Sequence, residues 1–64
     1  MQVLNYNSNG FPLYWIDSEK DSPTFLKLFK RIDKNTSQIV TPPKYLQERV
    51  YRVRVELLNT EQIN

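Results

Sequence analysis

The chain has 64 residues, 39% of them hydrophobic and 25% charged, and it contains neither cysteine nor histidine. A chain of this length supports one core and buries only ~60% of the surface that its unfolded form exposes. Disulfides, thiolate nucleophiles, imidazole bases and soft metal ligands are all excluded, so stability must come from the core or from partner chains.

Net charge is +2, but it is unevenly placed. Between Lys27 and Arg54, eight bases (Lys27, Lys30, Arg31, Lys34, Lys44, Arg49, Arg52 and Arg54) meet only Asp33 and Glu48, a local +6. The rest of the chain sums to −4. Such a field suits an anionic partner, whether nucleic acid, an acidic protein face or a phospholipid surface, and competes with the plainer account of a solvated surface. No apolar stretch approaches the ~18 residues that span a bilayer, and residues 1–20 lack a basic segment followed by an apolar run. The expectation is a complete cytoplasmic chain without a membrane partner.

In chain order, residues 2–6 alternate as a strand, and Asn7-Ser8-Asn9-Gly10 follows as a turn cluster that tolerates positive φ. Residues 11–16 read as the partner strand, rich in aromatic and β-favouring side chains, with Pro12 at its start or at a sheet edge. Of Tyr14 and Trp15, one is expected to face inward and the other outward. Residues 17–22 are a polar loop. The next segment admits two readings. As a strand over 25–32 it leads into the turn cluster Asp33–Ser37 and a short strand at 38–41. As a helix over 23–34, Ser22 caps it and Phe25, Leu28, Phe29 and Ile32 form one stripe. The hairpin continuation favours the strand. Pro42-Pro43 ends that run, and residues 44–49 are a helical turn or a loop. Residues 50–58 alternate Tyr51, Val53, Val55 and Leu57 against Arg52, Arg54 and Glu56, which predicts a last strand. A helix there would gather Leu46, Val50, Val53 and Leu57 but would leave Val55 in water.

The predicted fold is therefore mostly β, a small twisted sheet or partial barrel of about five short strands, with α+β (a helix at 23–34 on a small sheet) as the alternative. Residues 1–58 form the single domain and 59–64 a polar tail. In size and strand count alone this resembles small SH3-like or oligonucleotide-binding barrels, a likeness that implies no function. The expected core draws on Val3 or Leu4, Trp15 or Tyr14, Leu26, Leu28, Ile32, Ile39, Tyr51, Val53, Val55 and Leu57.

Catalysis is not expected. With one glycine there is no phosphate cradle, and the serines sit in turns, where hydroxyls bend backbone. Asp17, Glu19 and Asp21 alternate like a calcium loop, but the sixth position is Ser22 rather than glycine and the twelfth is Leu28 rather than glutamate. No cofactor is expected. One constellation remains. On a strand, Phe25, Lys27, Phe29 and Arg31 share a face, and Arg52 and Arg54 of the last strand are expected on the same side. Rings stack on bases and cations neutralise phosphates, the means by which single-stranded nucleic acid is held. The competing account makes Phe25 and Phe29 core residues. The function expected from sequence is a non-enzymatic binding module with nucleic acid as its partner. The alternative is a protein-interaction module docking on an acidic surface, and self-association through an edge strand is a third course.

Overall fold

The computed structural model describes residues 1–59. Its first element pair follows from the turn chemistry at Asn7–Gly10. Gly10 adopts φ +86° and its N–H donates to the Asn7 carbonyl, while the Asn7 side-chain oxygen accepts from the N–H groups of Asn9 and Phe11. That turn folds β1 (Gln2–Tyr6) back on β2 (Pro12–Ile16). The pairing is irregular at Leu4 and Leu13, and the Asn5 side-chain oxygen accepts the Tyr14 N–H at 3.2 Å. Such bulges increase local twist and bend an edge strand.

A long connection then crosses to β3 (Leu28–Asp33), organised by one carboxylate. Asp17 accepts from the hydroxyls of Ser22 and Thr24, both at 2.6 Å, and from the Glu19 N–H at 2.9 Å. These donors favour the charged form and hold the Asp17 pKa below the ordinary aspartate value. Leu26 closes the connection at φ +72°, a left-handed conformation that L-residues with a Cβ adopt at a cost. A tight turn at Lys34-Asn35 joins β3 to β4 (Thr36–Ile39), with the Asp33 carboxylate accepting the Asn35 N–H at 3.0 Å. That hydrogen bond, with Thr36 as a second donor, lowers the Asp33 pKa as well. The four strands form an open antiparallel meander in the order β1-β2-β3-β4.

After Pro42 and Pro43, a 3-10 turn (Lys44–Leu46) leads into α1 (Gln47–Asn59). The core is the seam between this helix and one sheet face: Leu4, Tyr14, Ile16 and Leu28 from the strands, Leu46 and Val50 from the helical segment. Val53 and Leu57 pack against that cluster, so Leu46, Val50, Val53 and Leu57 follow helical spacing. Two guanidinium groups tie the helix down. Arg49 donates to the Leu4 carbonyl and Arg54 to the Leu26 carbonyl, each at 2.9 Å.

The architecture is mostly β, with a helix packed on a small sheet. The helix, however, is built from 47–59. Residues 23–34 hold a turn and β3, and the strand expected at 50–58 is α1. The reason is burial. Four strands make one layer whose inner face needs a cover, and a fifth strand beside them would leave it wet. The helix supplies the cover and accepts Val55 at 36% exposure. Tyr51, Ile32 and Ile39, expected in the core, are likewise exposed. Of the residues assigned to a polar tail, Asn59 ends α1 and 60–64 lie outside the described residues. No helix among the described residues is long and apolar enough to cross a membrane.

Candidate binding face

The helix covers one side of the sheet; the other side is open. Strand alternation sends Leu4, Tyr14, Ile16 and Leu28 inward and therefore sends Val3, Trp15, Phe29 and Ile39 outward. The register makes these four a single cross-sheet row, since Val3 pairs with Trp15, Trp15 with Phe29 and Phe29 with Ile39. The Trp15 and Phe29 rings stack with centroids 6.0 Å apart and planes 3° from parallel. Arg31, two residues along β3, places its guanidinium 5.5 Å from the ring centroids of both Trp15 and Phe11. A continuous ladder results: Phe29, Trp15, Arg31, Phe11. Each contact adds on the order of 1 kcal/mol beyond burial.

Arg31 is held in place by more than rings. Its Nε donates to the Pro12 carbonyl at 2.9 Å and its Nη1 to the Lys34 carbonyl at 3.1 Å, which ties β3 to the start of β2 and to the turn. Beside it, between the two tight turns, lies an open depression of about 560 Å³ lined by Phe11, Leu13, Arg31, Ile32, Asn7 and Lys34. Among the described residues, no three carboxylates converge into a metal-holding group.

Of the six candidate residues, the structure brings Phe29 and Arg31 together on the open face. Lys27 is exposed just before β3 begins. Phe25 is half-buried in the turn that precedes β3, not on the strand. Arg52 and Arg54 belong to α1, across the sheet from Phe29. Arg52 pairs with Glu48 one helical turn away at 3.3 Å, and Arg54 caps Leu26. Lys30 also lies on the helix side, 5.8 Å from the Tyr14 ring centroid. The local +6 of the sequence is thus divided between two sides of the molecule. Sequence reasoning missed Val3, Phe11 and Ile39 as parts of the face. Val3 lies on β1, Ile39 on β4 and Phe11 in the bend before β2, and only the folded sheet joins them.

No family model, no curated protein and no solved structure matches the chain.

Proposed function

We propose that the chain is a non-enzymatic protein-binding module whose docking surface is the open sheet face centred on Trp15 and Phe29. The observation that carries this is the cross-sheet row itself. A one-sided antiparallel sheet ordinarily turns polar side chains to water, whereas this one turns Val3, Trp15, Phe29 and Ile39 outward. With Ile39 at 51% and Phe11 at 50% exposure, the surface stays accessible at both ends of the row and ladder. Strand spacing of ~4.8 Å and a rise of ~3.3 Å per residue give the whole open face of four strands roughly 300 Å², with the apolar row crossing its full width. Tryptophan and arginine at its centre are the residue types that dominate interface energies.

The same geometry weighs against single-stranded nucleic acid as the occupant. Base stacking needs free ring faces, but Trp15 has Phe29 against one face and Arg31 close by. The Arg31 guanidinium is committed to two carbonyls, and the other bases are scattered over both sides.

The test is capture of a partner from nuclease-treated native extract by wild type and by Phe29→Ala. A protein retained by the wild type, and lost by a Phe29→Ala chain that still melts cooperatively, supports the reading. Saturable binding of an unstructured oligonucleotide, falling linearly in log–log with salt, would replace it with the nucleic-acid reading.

A further inference from the structure

The two edges of the sheet are unlike each other. On β1 the edge is closed: the strand carries irregular pairing, its Leu4 carbonyl is taken by Arg49, and Asn5 reaches the Tyr45 hydroxyl at 3.4 Å. Bulges and covering side chains of this kind are how proteins block an edge. The β3–β4 pairing has one irregularity, at Ile32 of β3 next to the turn, which leaves Ser37–Ile39 in regular register with Phe29–Arg31, and among the described residues no side chain is bonded to the Ser37–Ile39 backbone. The β4 residues Thr36, Ser37, Gln38 and Ile39 are all exposed, and none is charged or proline.

The register says which backbone groups are on offer. Val40 N–H donates to the Leu28 carbonyl at 2.9 Å, so Val40 bonds toward β3. Alternation in an antiparallel ladder then makes Lys30–Gln38 a hydrogen-bonded pair and turns the N–H and C=O groups of Ser37 and Ile39 away from β3. Both residues lie on the open-face side, where Ile39 ends the apolar row.

From this we infer that β4 is a strand-addition site for an extended, acidic segment of the partner protein, with alternating apolar residues laid beside Ile39. The inference rests on the protein-binding reading and extends the same face by a fifth column. Charge selects the occupant. From Lys27 to Ile39 four bases meet one acid, Asp33, whose carboxylate is already engaged in its turn. β3 and its flanking turns, which carry these charges, lie two strand spacings, about 10 Å, from anything seated on β4, on the order of a Debye length, and the Arg31 guanidinium at the Pro12 carbonyl lies farther off. Two copies of this chain joined edge to edge would bring two such fields together, which disfavours self-association here. The added strand runs antiparallel, as every other pair in the sheet does. In that arrangement the residues opposite Ser37 and Ile39 share their face, so the segment's apolar residues supply its backbone hydrogen bonds.

The probe is a six-residue acetylated and amidated peptide alternating glutamate and valine, added to the labelled chain and read by amide NMR and hydrogen exchange. In the free protein, Gln38 and Val40 amides exchange slowly, and Ser37 and Ile39 amides exchange fast. The peptide is expected to shift and protect Ser37 and Ile39 saturably. The lysine–valine analogue is expected to bind about tenfold more weakly. N-methylation at the valines abolishes binding, and N-methylation at the glutamates leaves it. Ser37→Pro removes an outward donor without breaking the β3 ladder and is expected to abolish binding in a folded chain. Equal binding of the two charge types, equal effects of the two methylation patterns, or no protection of Ser37 and Ile39 at millimolar peptide would each overturn the inference. A partner that depends on Phe29 but is indifferent to Ser37→Pro would also overturn it, while leaving the protein-binding reading of the open face intact.

Discussion

Replacing Val50 and Val55 by alanine, one at a time, separates the helical from the extended account of the C-terminal segment. Val50 is 1% exposed at the centre of the seam with the sheet. Truncation removes the equivalent of two buried methylene groups at ~0.8 kcal/mol each and leaves a small cavity, for a loss of about 2 kcal/mol. In a domain this small each kcal/mol moves Tm by roughly 4–8 °C, so a drop on the order of 10 °C is expected. Val55 is 36% exposed on the outer part of the helix. Its truncation exposes little and exchanges a β-branched residue for the best helix former, so Tm should stay level or rise slightly. Thermal melts followed by far-ultraviolet circular dichroism read both. A strand over the same residues puts Val55 inward beside Val53 and Leu57. A Val55→Ala variant that loses as much as Val50→Ala would therefore refute the helical packing.

Other expectations follow from the connection between β2 and β3 and from the open face. Asp17 has a depressed pKa when folded, so its stabilising contribution is full above the unfolded value of about 4 and is lost as pH falls through the folded value. The gap in urea midpoint between wild type and Asp17→Asn should accordingly be widest at neutral pH and close in acid; a gap that persists unchanged at low pH contradicts the assignment. At Leu26, φ +72° predicts that Leu26→Gly is more stable than Leu26→Ala by about 1 kcal/mol in urea unfolding, because both lose the side chain but only glycine sheds the strain. An alanine variant as stable as the glycine one would rule that out. Phe29→Ala should cost only about 1–2 kcal/mol, below the ~3–5 kcal/mol of a core phenylalanine, since Phe29 is half-buried on the open face. Global unfolding of Phe29→Ala would return it to the core.

Much of the first half of the chain was legible because its signals are local. Asn7–Gly10 is turn chemistry, and the strands expected at 2–6 and 11–16 do pair, with Phe11 left in the bend before β2. Tyr14 faces inward and Trp15 outward, as one of the pair had to. The β3–β4 hairpin was also readable from the turn cluster Asp33–Ser37, although the turn itself is Lys34-Asn35, β3 begins at Leu28 rather than at 25, and β4 is Thr36–Ile39 rather than 38–41. Residues 47–59 misled because one string satisfies two periods. Tyr51, Val53, Val55 and Leu57 alternate, while Leu46, Val50, Val53 and Leu57 follow a helix. Local pattern could not decide between them; the need to cover Leu4, Tyr14, Ile16 and Leu28 did. The same limit applies to the face. Phe29 and Arg31 were visible as an alternation on one strand, but their partners, Trp15 of β2 and Phe11 of the bend before it, become neighbours only once the register is set. Arg52 and Arg54 were assigned to that face through the strand reading and left it when the segment became a helix.

Trp15 is the chain's single tryptophan and sits at the centre of the proposed surface, which makes it a reporter that needs no substitution. The decisive measurement is fluorine NMR of the chain grown with fluorotryptophan, free and in complex with the captured partner, with solvent access to the ring followed by a soluble paramagnetic agent. The open-face account predicts a single signal that shifts on binding and loses most of its paramagnetic relaxation as the partner covers the ring. A Trp15 signal equally exposed in the free and bound chain would contradict it.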